Sequence, residues 1–171
     1  MLTKKMEKAL NGQINAEFFS AYLYLSMAAY FERMNLAGFA NWMRIQAQEE
    51  NAHGMIFFNF INERGGKVEL TAIDKPAFDW KNPIKVFEEV LKHEQKVTAL
   101  INNLVNIAIQ EKDHATNNKL QWFVAEQVEE EASASEILEQ LKLVEGKGHG
   151  LLLLDREMKT RVFVDPLNSK E

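Results

Sequence analysis

Prolines interrupt this chain at only three positions, 76, 83 and 166, and most of its eight glycines fall in a few clusters. Proline and glycine are the residues that break helices. The long stretches between them can therefore run as unbroken helices if their apolar residues recur at helical spacing. They do. From about Thr3 to Met34 the apolar series is Met6, Leu10, Ile14, Ala21, Tyr24, Ala28 and Phe31, with Thr3 placed as N-cap. After the short turn in "ERMNLAG", a second series from about Ala37 to Arg64 carries Phe39, Trp42, Met43, Ile56, Phe57 and Phe60. It stops at Gly65-Gly66, a helix-terminating signal.

Residues 65–82 have no helical period and read as a long connection. Asn82-Pro83 opens a third helix, with Pro83 at its first position, that continues to about Gln110. After the turn "EKDHAT", a fourth covers about His114 to Glu145. "GKGHG" is a break, and a short fifth helix is expected at about 151–163, before a polar tail at 164–171. Helix, short turn, helix, long link, helix, short turn, helix is the order of an all-α four-helix bundle with one long crossover. Residues 1–163 form one domain in this reading.

Composition narrows the function. A net charge of −5 with no basic run excludes a nucleic-acid binder that works on backbone phosphates. Zero cysteines exclude disulfides, iron–sulfur clusters and thiolate zinc. The N-terminus has no signal-type apolar region, and the oily runs "MIFF" and "LLLL" are far short of a membrane span. The expectation is a soluble cytoplasmic protein with no membrane partner.

Each long helix carries a polar defect in its apolar stripe. Glu17 interrupts the first, Glu50 and His53 the second, Glu94 the third, and Gln127 with Glu130 the fourth. Any one of them read alone is an acid at a groove edge with its head in water. Their heights change the reading. Glu17 precedes Arg33 by 16 residues, and His53 follows Ala37 by 16; Glu94 precedes Gln110 by 16, and Glu130 follows His114 by 16. Antiparallel neighbours joined by a short turn match levels at equal distance from it, here about 24 Å. The defects are thus expected in one layer of the core.

Buried uncompensated carboxylates do not persist, because each costs several kcal/mol and like charges repel. Either they are protonated or cations neutralise them. A histidine three residues after Glu50 points the same way on the helix and favours cations. Two divalent cations nearly balance Glu17, Glu50, Glu94 and Glu130. Oxygen-rich ligation with one imidazole suits iron or manganese.

At these residues the sequence resembles the ferritins, closest to the non-haem ferritins of bacteria and archaea. The resemblance spans roughly residues 3–163 and rests on "NAEFFSAYLYLSMAAYF", "GFANWMRIQAQEENAHGMIFFNFINERGG" and "LQWFVAEQVEEEASA". It implies a ferritin-like bundle whose short fifth helix lines four-fold contacts of a homo-oligomeric shell of about 24 subunits with octahedral symmetry. It also implies a ferroxidase that oxidises Fe(II) with O2 or H2O2 and stores the ferric mineral. One iron is then held by Glu17, Glu50 and His53, and the second by the bridging Glu50 with Glu94 and Glu130. A third iron position uses Glu49, Glu126 and Glu129, sharing Glu130; these acids read equally as cavity-facing charge. Gln127 and Tyr24 match residues beside the iron pair, and Trp122 is a further aromatic neighbour. Bacterioferritins carry a haem-ligating methionine where this chain has Asn51, so no haem is expected.

Other residues read blandly. His93 is expected on the surface, His114 at a helix start and His149 in a loop, while Met27, Met43 and Met55 read as core filler. Two rival functions stay open: a di-iron redox enzyme without storage, and a helical scaffold with a vestigial metal site.

Overall fold

The computed structural model describes residues 1–167, which form five helices: α1 (Lys4–Arg33), α2 (Ala37–Glu63), α3 (Pro83–Gln110), α4 (His114–Leu143) and α5 (Gly148–Met158). No strand occurs among the described residues. Part of the expected tail, 168–171, lies outside them.

The helix starts follow local chemistry. Thr3 accepts the backbone N–H of Met6 at 3.2 Å, Asn82 Oδ1 that of Lys85 at 3.0 Å, and Asp113 Oδ1 that of Thr116 at 3.1 Å. Each cap satisfies an N–H that the helix itself leaves unpaired. At the end of α2 the chain reverses through Gly65 at φ +68°, a left-handed conformation that favours glycine. Gly66 N–H then closes onto Ile61 O at 2.9 Å.

The crossover fixes the topology. Glu69 N–H donates to Asn11 Oδ1, Asn15 Nδ2 to Thr71 Oγ1, Ser26 Oγ to Ala77 O, and Arg33 to Phe78 O. The connection therefore climbs the full length of α1 from its start to its end. Since α2 descends antiparallel to α1, this return brings α3 in parallel to α2, as one long crossover requires. Trp80 finishes the climb edge-on to Tyr30, with centroids 5.4 Å apart.

Two apolar clusters fill the bundle. One gathers Tyr24, Met27, Phe31, Phe39, Trp42, Met43, Phe87, Leu138 and Leu141, with Leu151 and Leu154 of α5. The other gathers Met6, Leu10, Ile14, Phe57, Ile61, Ile101, Leu104, Leu120 and Phe123. Met27 and Met43 are fully buried filler as expected, whereas Met55 is exposed.

The fifth helix departs from expectation at both ends. It starts at Gly148, so His149 is helical rather than in a loop, and it stops at Met158, leaving 159–164 without helical structure. Tertiary contacts account for the early stop. Asn41 Nδ2 donates to the carbonyls of Met158 and Arg161, which holds the end of α5 and the turn after it against α2.

Candidate metal centre

The gap between the two apolar clusters is where the defects meet. Glu17, Glu50, His53, Glu94, Gln127 and Glu130 are all buried, from four different helices. One ligating atom from each of Glu17, Glu50 and His53 lies within 4.8 Å of the others. His53 Nδ1 is 3.5 Å from Glu50 Oε2, and its ring sits edge-on to Trp122 and Phe123 at 5.4 and 5.8 Å. Ring packing thereby helps to fix the orientation of the imidazole.

A ring of neutral donors surrounds the acids. Gln13 Nε2 donates to Glu17 Oε1 at 2.9 Å. Gln46 Nε2 donates to Glu130 Oε2 at 2.7 Å and to Glu50 Oε1 at 3.4 Å. Tyr24 Oη donates to Glu94 Oε1, and Gln127 Nε2 lies 3.3 Å from Glu94 Oε2. Sequence reading missed Gln13 and Gln46. Each precedes an acid by four residues, a spacing that puts both side chains on one helix face and was available as a signal.

These donors leave the charge unbalanced. Glu17 Oε2 is buried without a hydrogen-bond partner. Burial pushes the Glu17 and Glu50 carboxyls well above the usual range, reinforced for Glu17 by Glu50 and for Glu50 by Glu94 and Glu130. Burial also raises Glu94, and it lifts Glu130 to about 8 with help from Glu94. Burial raises the Tyr24 phenol well above its ordinary value, with Glu94 the next cause. Without cations the layer is stable only by holding protons. Two divalent cations would replace those protons and occupy the orphaned oxygen, so the donor set fits a pair of oxygen-preferring metals.

The residues expected at a third position are less gathered. Glu126 Oε1 is 3.9 Å from His53 Nε2. Glu49 is half-buried and paired to Arg161 Nη2 at 2.5 Å. Glu129 is exposed. Burial raises the Glu49 and Glu126 carboxyls. Asn51 is exposed, with its amide nitrogen donating to Ala47 O.

His93 corrects the expectation of a surface residue. It is buried, with Nε2 2.8 Å from Ser20 Oγ and its ring 6.3 Å from Tyr24, edge-on. Burial, then Lys96, lowers its pKa to about 4. The helical wheel put it off the apolar stripe, but α1 packs against that side of α3 and covers it. His114 is exposed at the first residue of α4, as expected.

Known proteins carry the same architecture. The ferritin-like domain family matches residues 7–144. A bacterial non-haem ferritin of Bacteroides fragilis (strain 638R) is 43% identical over 94% of this chain and all of its own length. One from Staphylococcus aureus (strain MRSA252) is 41% identical over 95% of this chain and 98% of its own. An open-pore ferritin from the hyperthermophilic archaeon Archaeoglobus fulgidus superposes with TM-score 0.93 at 54% identity, covering 95% of this chain and all of that one. Fold, family match and near-full-length relatives agree that this chain belongs to the non-haem ferritins.

Proposed function

We propose that the chain stores iron and acts as a ferroxidase. Two Fe(II) ions bind in the buried layer, each gives one electron to the oxidant, and the Fe(III) product moves on to a mineral core. With O2 the two electrons and two protons yield H2O2; with H2O2 they yield two waters. The observation that carries this reading is the stranded negative charge. Four carboxyls from four helices share one buried layer, and Glu17 Oε2 has no donor within hydrogen-bond geometry.

In this reading Glu17 and His53 hold one iron, Glu94 and Glu130 the other, and Glu50 bridges. Anionic oxygen ligands favour Fe(III) over Fe(II), which lowers the cost of giving up each electron. Tyr24 and Gln127 hold Glu94 from both sides, so its carboxylate meets the metal in a fixed orientation. Protons displaced from the acids on binding are available to the reduced oxidant. Glu49, Glu126 and Glu129 make up a third, looser position through which ferric iron leaves. No haem is involved in this scheme, since exposed Asn51 stands where a haem-ligating methionine would be.

Storage needs a closed compartment, and we assign the chain to an octahedral shell of about 24 copies in the cytoplasm. The exposed Leu152 and Leu153 of α5 support a contact at that helix. No helix among the described residues is long and apolar enough to cross a membrane. Aerobic loading followed by counting iron per assembled particle tests the whole reading. Hundreds to thousands of irons per particle are expected. Two or three per chain with sustained turnover would instead mark a di-iron redox enzyme, and none would mark a scaffold.

A further inference from the structure

Arg161 lies beyond α5, in the segment that Asn41 holds against α2. Its guanidinium stacks over the Trp42 ring, 4.6 Å from the centroid. From there Nη1 donates to Gln46 Oε1 at 2.8 Å and Nη2 to Glu49 Oε2 at 2.5 Å. The same Gln46 turns its amide nitrogen to Glu130 and Glu50. An amide has one acceptor end and one donor end. By taking the acceptor end, Arg161 compels the donor end to face the two acids.

We propose that Arg161 is a tethered counter-ion of the metal centre. It neutralises Glu49, and it orients Gln46 toward Glu130 and Glu50 as a positioning residue. This rests on the reading of Glu49 as part of a third cation position. A cation arriving there competes with the guanidinium for the Glu49 carboxylate, so filling that position removes one of the contacts that hold the segment around Arg161 on α2, leaving those of Asn41 and Trp42. No local sequence pattern marks this role, because Arg161 and Glu49 are 112 residues apart.

The test uses the assembled, metal-free protein and Zn2+, a divalent cation with no redox chemistry. Calorimetric titration would compare the native chain with Arg161→Gln, Arg161→Lys and Glu49→Gln, alongside hydrogen exchange of residues 159–164. In Arg161→Gln the weakest cation class should tighten on the order of tenfold, because a charge-assisted hydrogen bond no longer competes. The two tight classes should keep their stoichiometry, and Arg161→Lys should fall between. Exchange at 159–164 should accelerate in the native chain only as the third equivalent binds, and should already be faster than native in metal-free Arg161→Gln, with the Asn41 bonds keeping part of the protection in both. Unchanged or weaker third-class affinity in Arg161→Gln overturns the proposal alone, as does exchange indifferent to the third equivalent. Absence of a third class in the native chain overturns both this proposal and the third-position reading. Fewer than two tight cations overturns the di-iron reading itself.

Discussion

Asp155 Oδ1 accepts the backbone N–H of Gly38 at 2.8 Å, and that of Phe39 at 3.0 Å, so α5 caps the start of α2. The residue that would cap α2 locally is Leu36, which has no side-chain oxygen to offer. Asp155→Ala should therefore destabilise the chain by about 1–2 kcal/mol, the usual cost of losing a cap. At this size that is a fall of roughly 2–8 °C in Tm, readable by calorimetry. Gly38→Ala should cost more, because the added Cβ would lie 1.6 Å from Asp155 O. A Tm unmoved by either substitution would show that α5 does not cap α2.

Glu17→Gln tests the stranded charge. Its Oε2 has no partner, and its carboxyl is raised by burial and by Glu50. A neutral amide needs no proton to be buried, so the substitution should stabilise the metal-free chain while weakening cation binding, a trade of function against stability. The expected readouts are a higher Tm without metal and tight Zn2+ stoichiometry falling from two per chain to one. Loss of both sites is expected for Glu50→Ala, whose parent residue bridges.

Tyr24→Phe and Gln127→Leu each remove a donor from Glu94 while leaving the cavity shape nearly intact. Single-turnover Fe(II) oxidation should slow by roughly tenfold in each, the worth of one hydrogen bond to a charged group. Zn2+ stoichiometry should hold at two. A change in stoichiometry without a change in rate would assign these residues to binding instead.

The metal-free chain should lose stability between about pH 6.5 and 8. Glu130 has a folded pKa of about 8 against an ordinary 4.5, so the folded state binds the extra proton. Its contribution is complete below 4.5 and disappears as pH rises through 8, with a limiting slope of about 1.4 kcal/mol per pH unit per proton. His93 acts oppositely: lowered to about 4 from 6.5, it contributes stability above 6.5 that is lost as pH falls toward 4. From 4.5 to 6.5 His93 offsets one proton's worth of the decline, to which Glu17, Glu50 and Glu94, also raised by burial, contribute with Glu130, so stability falls less steeply there than above 6.5. Denaturant melts from pH 4 to 9 would show it. In His93→Gln stability should keep climbing as pH falls to 4.5, and with Zn2+ bound the decline above 6.5 should vanish. A native chain that gains stability from 6.5 to 8 would contradict the assignment.

The four long helices and the height at which their polar residues meet are legible along the chain. Those are local quantities, set by a 3.6-residue period, by caps such as Thr3 and Asn82, and by the distance of each acid from a short turn. Glu17, Glu50, His53, Glu94 and Glu130 were legible because burial of an apolar stripe makes any charge within it conspicuous. Gln13 and Gln46 were legible in principle, one turn before their acids. The rest depends on how the helices dock. His93 is buried because α1 happens to cover that flank of α3, which no property of α3 states. The fifth helix ends early because Asn41 captures the carbonyls that would have continued it. Asp155 and Arg161 reach across more than a hundred residues to cap a helix and to neutralise an acid. Pairings of that kind depend on how whole elements dock, and no period along the chain encodes which distant side chain will arrive.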